Sequence, residues 1–437
     1  MSNYWIEHCA PPRTRPQGVE WDVFISYRSL DRVWALALYD MLRQCGYNVF
    51  LDQFVLVVGV GLASQLGKQL ERSASGVLIW SERSADSTWV ESEMDNMVAR
   101  KNNSGGSNFP FYFVIASLDH RAPPGLQGGQ LYMDFSEYPD GPLGTDLVKL
   151  TYGVQGKPPS QTAVQQLLAF EQSIKQEPDK LRALAKANLY DRIEARVGSD
   201  DPAYITSATL PGVAVDLLIR GKKYAAALRA VKHALERFPG SVRLRQLYGL
   251  ALRRDGQLED AAFELNLLAE QGHRDVETLG MLASVWADLW EKRVAAGEAS
   301  SARDALERSR ELYAEGFAKV PTDTYTGINA AAKTALLGDL DRARTLADQV
   351  LTRLREMETA RGGGPVDDYW ARVTEPEALL IKGDWARAVE LYHSARVAHQ
   401  NEAGSIAATG TQVRRLLGVL PVPADIREKL VAEFGLS

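Results

Sequence analysis

Trp89 and Glu93 stand four residues apart where an apolar run gives way to the opening of a helix, which Ser87 or Thr88 can cap. Residues at i and i+4 share a helix face. Val90, Met94 and Met97 form the adjacent apolar stripe and are expected to face a core, while Glu91 points away from Glu93. The apolar run is Gly76–Ser81, one of several short runs that read as buried strands. Open α/β sheets bind ligands at the carboxyl ends of their strands. Those ends here carry Ser26-Tyr27-Arg28, then Asp52, then Ser81. An indole and a carboxylate would therefore overhang the strand ends beside Arg28, Asp52 and Ser81. An indole face can stack a nucleobase or a nicotinamide ring. A lone carboxylate can hold ribose hydroxyls or stabilise developing positive charge.

Other chemistries are excluded by spacing. The first strand-to-helix turn, Ser26–Asp31, has no glycine to admit a pyrophosphate to the backbone. Gly59-x-Gly61 follows the second run, but position 64 is Ser rather than a third glycine. No GxxxxGK[ST] motif is present, and no Ser-His-Asp or Cys-His arrangement is apparent. The six histidines are scattered without metal-ligand spacing. Two cysteines, Cys9 and Cys45, make no disulfide framework, which fits a reducing compartment. A net charge of −6 argues against a dedicated nucleic-acid binder. No apolar run reaches the ~18 residues of a membrane helix, and residues 1–19 lack a signal-peptide core. A cytoplasmic protein with no resident cofactor or metal is expected.

The elements that must position these residues fall into two halves. Residues 20–152 alternate the runs Asp22–Tyr27, Tyr47–Asp52, Gly76–Ser81, Phe111–Ser117 and Leu131–Phe135 with amphipathic stretches. Near-continuous apolarity suggests strands buried on both faces of a parallel sheet. Between the first two runs, Trp34, Leu38, Met41 and Leu42 keep helical spacing, Asp31 can cap, and Gly46 stops the helix. The order predicts an open, doubly wound α/β sheet of five strands. Residues 1–19 read as a flexible tail and 153–160 (GVQGKPPS) as a linker. From 161 to 437 helical periodicity takes over. A motif Gly-x-Φ-x-x-Ala, with Φ apolar, recurs at Gly256-Leu258-Ala261, Gly338-Leu340-Ala343 and Gly383-Trp385-Ala388, with a variant at Gly221-Tyr224-Ala227. Helix pairs repeating this way predict a tetratricopeptide-like solenoid, with room for one or two degenerate units between Gly256 and Gly338.

Taken together, DVFISYR, FLD, GVLIWSERSADSTWVESE and LYMDFS resemble a bacterial-type TIR (Toll/interleukin-1 receptor) domain over about residues 20–152. The resemblance implies a flavodoxin-like five-stranded parallel sheet and an activity: cleavage of NAD+ between nicotinamide and ribose. It implies Glu93 as the catalytic carboxylate and Trp89 as a stacking residue. Tyr27 and Arg28 match the family's first-strand motif, whose arginine helps bind the nucleotide, and Asp52 matches the aspartate that opens the loop after the second strand; with Ser81 at the end of the third strand, they are the expected substrate-binding residues. NAD+ would be substrate, not cofactor. The loop 53–64, which mediates contacts between domains in this family, is unusually apolar here. Its composition suggests an exposed surface that wants a partner. The resemblance further implies a latent enzyme completed by self-association, with a setting such as antiviral defence. Residues 277–392 are more loosely similar to the helical TRAFs-binding region of apoptosis signal-regulating kinases, which implies an interaction module with a protein partner or trigger. Two other readings are a non-catalytic adaptor that recruits partners through both halves, and a secreted effector of host signalling.

Overall fold

The computed structural model describes residues 6–28, 31–51, 62–81, 88–105, 108–119, 132–138, 141–142, 144–205, 207–360 and 368–436. It divides into two compact units, Met1–His273 and Arg274–Ser437.

The first unit is built on a five-stranded, all-parallel sheet: β1 (Val23–Ser26), β2 (Val49–Leu51), β3 (Ser75–Trp80), β4 (Tyr112–Ser117) and β5 (Tyr132–Asp134). The spatial order is β2-β1-β3-β4-β5. Every residue of β1, β2 and β3 is buried, as the unbroken apolar runs require of strands covered on both faces. Phe24 and Phe50 stack at 5.0 Å between β1 and β2. Three helices join the first four strands: α1 (Arg32–Gln44), α2 (Leu62–Glu71) and α3 (Thr88–Ser104), and α4 (Gly144–Val154) follows β5. The expected stripe of α1 is buried: Trp34, Leu38, Met41 and Leu42 are each at most 2% exposed. Gly46 ends that helix region at φ 85°, a conformation glycine adopts without penalty.

α3 is seated by the absence of a side chain. A Cβ on Gly76 of β3 would lie 3.0 Å from Met97 Sδ and 3.1 Å from the Phe111 ring. Glycine there lets fully buried Met97 press onto the sheet, with Met94 packed against the same cluster. Arg100 adds a polar clamp: its guanidinium donates to the carbonyls of Leu70 and Ser73 and lies 4.6 Å over Phe111.

Within residues 1–19, read from the sequence as a flexible tail, Ala10 and Arg13 make bonds to the sheet unit. Arg13 donates to Pro110 O at 3.0 Å and Ala74 O at 2.8 Å, and lies 4.3 Å over Phe109. These acceptors sit just before β4 and β3, so the segment straps the amino ends of the strands. Arg15 faces Asp22 at 3.4 Å, where burial pushes the carboxyl up while the Asn48 amide and the arginines pull it down. In the stretch 153–160 the first three residues pack at the end of α4, and residues 156–158 are exposed. α4 runs through Gly153 to Val154, Gln155 is buried with its amide donating to Tyr47 Oη at 3.1 Å, and Gly156 sits at φ 64°. A Cβ on Gly156 would collide with the Tyr112 ring.

Eight further described helices, Gln161–Ile174 to Leu258–Glu270, belong to the same unit, and eight more, Val276–Ala295 to Ala424–Phe434, form the second. The glycine motif places their starts. Helices begin at Leu258, Leu340 and Trp385, two residues after glycines with φ of 85°, 91° and 100°, and Ala261, Ala343 and Ala388 are 0% exposed. In the variant copy the left-handed residue is Lys222 at φ 57°, not Gly221. A further unit lies midway between Gly256 and Gly338: Gly297 (φ 77°) opens the helix Ala299–Lys319, with Ala302 buried.

Within the first unit, α1 meets the helix Val242–Arg254 through a buried carboxylate. Ser241 Oγ donates to Asp40 Oδ2 at 2.9 Å and the Val242 amide to Oδ1 at 3.5 Å. Ser241 itself caps that helix by accepting from the Leu244 amide. Burial raises the Asp40 carboxyl to about 7 against these hydrogen bonds and Arg43. No helix among the described residues is long and apolar enough to cross a membrane.

Candidate functional site

In a sheet ordered 2-1-3-4-5, chain crossovers leave β1 in opposite directions, and a crevice opens at the carboxyl ends of β1 and β3. The register puts Ser26 beside Leu78 and Val77 beside Ile25, so the segments after the two strands emerge together. Tyr27 and Arg28 follow β1; Tyr27 is 5% exposed and Arg28 half-buried. Ser81 follows β3 and is 3% exposed.

Sequence reasoning missed what joins the two sides. Ser81 Oγ donates to Asp31 Oδ2 at 2.7 Å, a buried bond across the crevice floor. Asp31 does occupy the cap position of α1, but its side chain makes no capping hydrogen bond to that helix. Its own amide donates to Arg28 O at 2.8 Å, closing the turn that carries Tyr27 and Arg28. The turn after β1 is thus tied to the end of β3 through one carboxylate. A capping residue and a cross-sheet acceptor share the same local signature, an Asp just before a helix, so the spacing alone favoured the cap. A second brace comes from Trp34, whose Nε1 donates to Tyr138 O at 2.9 Å while its ring meets Phe135 edge-on at 5.0 Å.

α3 begins at Thr88, seven residues past Ser81, and so starts from the carboxyl edge of the sheet. Its backbone holds positions 89 and 93 one turn apart, and position 93 one turn before buried Met97. The side chains of Trp89, Val90 and Glu93, and all of Asp52 and of the loop 53–61, lie outside the described residues. The structure therefore brings Tyr27, Arg28 and Ser81 to one crevice and starts α3 from the same edge. A hollow of about 720 Å³ elsewhere in this unit is lined by Tyr39, Asp40 and Arg43 of α1 with Arg245 and His273. It lies at the far end of α1, by the amino ends of the strands, and is not part of this crevice.

A family model described as a TIR domain matches residues 23–146, which is the sheet and its helices. A second, described as a Tetratricopeptide Repeats-Sensor, matches residues 223–337. The chain carries a TIR domain followed by a tetratricopeptide-like sensor domain. The TIR region is similar to the 2' cyclic ADP-D-ribose synthase AbTIR of Acinetobacter baumannii strain 1295743, with 33% identity over 109 residues, 25% of this chain and 39% of the relative. It is similar to BtTIR of Bacteroides thetaiotaomicron, also a 2' cyclic ADP-D-ribose synthase, at 31% over 97 residues, 22% of this chain and 34% of the relative. It is also 30% identical over 83 residues to the NAD(+) hydrolase TcpA of Theionarchaea archaeon strain DG-70-1, 19% of this chain and 25% of the relative. The chain spans well under half the length of these relatives. Among solved structures, a thermophilic TPR protein of Thermus thermophilus aligns with 47% of this chain and 97% of its own, at 18% identity and a TM-score of 0.37.

Proposed function

We propose that the TIR domain is an NAD+ glycohydrolase that breaks the bond between nicotinamide and ribose. The reading is supported by the start of α3 seven residues past Ser81 at the end of β3, which sets positions 89 and 93 in i, i+4 register on that helix. The TIR relatives named as 2' cyclic ADP-ribose synthases and NAD(+) hydrolases support the same chemistry. Ordinary glycosidases need an acid to protonate the leaving group and a second carboxylate opposite it. Nicotinamide leaves from a quaternary pyridinium, so the positive charge that an acid would supply is already present. One carboxylate then suffices, and Glu93 takes that role by holding the ribose hydroxyls and stabilising the oxocarbenium-like ring. Trp89 stacks on the nicotinamide or the base, Arg28 and Tyr27 meet the nucleotide from the end of β1, and Asp52, the residue after β2 in the sequence, is assigned to the same substrate. Water attack gives ADP-ribose; attack by a hydroxyl of the same molecule gives a cyclic product.

Activity switched on by self-association, regulated by the helical domain and serving antiviral defence is part of the same proposal. Incubating the full chain with NAD+ and assaying free nicotinamide tests it, with Glu93→Ala as control. Release by wild type and not by the variant is expected; equal release by both would reject the assignment of Glu93. An adaptor without catalysis is the reading left if neither releases nicotinamide at any protein concentration.

A further inference from the structure

The strap of residues 6–15 brings two thiols together. Cys9 follows the short 3-10 helix Ile6–His8, and Cys45 closes α1, its amide donating to Met41 O at 3.1 Å. Bonds that do not involve sulfur clamp the two segments. Tyr47 Oη donates to Ala10 O at 2.6 Å, and the Ala10 amide donates to Thr151 Oγ1 of α4 at 3.1 Å. Inside that clamp the two sulfurs share a hydrogen bond. Both residues are reduced and half-buried.

We infer that Cys9 and Cys45 are a redox-active pair that closes an intramolecular disulfide in response to peroxide. The shared hydrogen bond and burial both hold the Cys45 thiol in its protonated form. Cys9 is therefore the attacking sulfur and Cys45 the resolving one. The Cys9 sulfur attacks one peroxide oxygen, the O–O bond breaks, and the departing hydroxide leaves as water with the thiol proton; Cys9 becomes a sulfenic acid. The Cys45 sulfur then attacks the Cys9 sulfur, and the sulfenic oxygen leaves as a second water with the Cys45 proton. Two thiols are oxidised, one hydrogen peroxide is reduced, and a thiol reductant reverses the bond by exchange. The closed loop contains all of β1 and α1, so the disulfide would fasten the strap to the elements that carry Tyr27, Arg28 and Asp31. The pair's chemistry is independent of whether the TIR domain is an enzyme.

The test uses the full chain, stoichiometric hydrogen peroxide, and tryptic mapping without reductant. Cleavage after Arg13, Arg43 and Lys68 yields peptides 1–13 and 44–68, which migrate as one linked species only if the disulfide forms. The linked species is expected from the folded chain at least about tenfold faster than from chain unfolded in urea, because folding supplies the effective concentration. Oxidised protein should melt about 5 °C or more above reduced protein, since the cross-link restricts the unfolded chain. Cys45→Ser should leave a Cys9 sulfenic acid that dimedone captures, and Cys9→Ser should give no linked peptide. Overoxidised cysteines without the linked species, disulfide-joined dimers in its place, or equal rates in folded and unfolded chain would overturn the inference.

Discussion

At the residue scale, the proposed cleavage needs few groups. A leaving group that is born neutral from a cation asks for charge stabilisation and not for a proton, so one carboxylate carries most of the effect. Glu93→Gln keeps the shape and removes the charge. It is expected to lower nicotinamide release at least about 100-fold, the scale of one lost electrostatic stabiliser, with an unchanged melting temperature. The Ser81–Asp31 bond makes a different prediction. Ser81→Ala takes a donor from a buried carboxylate and is expected to cost about 1–3 kcal/mol in denaturant unfolding. It also loosens the turn after β1, so KM should rise more than kcat falls. Loss of turnover with no loss of stability would instead mean that the Ser81 hydroxyl touches the substrate. The residue types of this crevice were legible in the sequence, since Ser26, Tyr27, Arg28 and Ser81 all end apolar runs. The partner of Ser81 was not, because a contact between positions 31 and 81 leaves no local pattern.

At the element scale, the position of α3 rests on Gly76. Gly76→Ala forces Met97 and Phe111 to give way, an overpacking that costs about 1–3 kcal/mol. Because α3 carries positions 89 and 93, the variant should lose nicotinamide release beyond what its lowered melting temperature explains, when assayed well below that temperature. The joint between α1 and the helix Val242–Arg254 makes a pH prediction. The Asp40 carboxyl, raised to about 7 in the folded chain, binds a proton there that the unfolded chain has released. Stability should therefore fall as pH rises from about 4 to about 7, where the native state holds more protons than the unfolded state. Asp40→Asn keeps an oxygen to accept from the Val242 amide, turns its NH2 toward Ser241 Oγ, which can accept, and removes the charge. Its unfolding free energy should lose this slope and exceed the wild-type value at pH ~8, above the raised carboxyl. A variant with the same slope as wild type would place the pH dependence elsewhere.

At the scale of the molecule, the first compact unit extends past the sheet to His273, so the TIR domain and the helices from Gln161 to Glu270 share one body. A fragment of residues 1–273 is expected to unfold in one transition that includes the sheet. A fragment of 1–160 exposes the faces of Met41 and Asp40 that Ser207 and Ser241 cover, and should melt lower and bind a hydrophobic dye. If assembly completes the site, specific activity of the full chain should rise with protein concentration; a constant value down to nanomolar dilution would remove self-association from the proposal. What the sequence by itself determined is what depends on near neighbours along the chain: five parallel strands, the face of α1, and the glycine turns that start the repeat helices at Leu258, Leu340 and Trp385. Even the unit at Gly297 was readable, had alanine been admitted at the apolar position of the motif. Only the tertiary structure decided that Ala10 and Arg13 tie the amino-terminal segment down, that Gly156 sits against Tyr112, that Asp31 serves Ser81, and that Asp40 binds the start of a helix two hundred residues on. Each of these is a choice of which surfaces meet, made by burial and hydrogen bonding between distant segments, and distant pairings leave no period in the sequence.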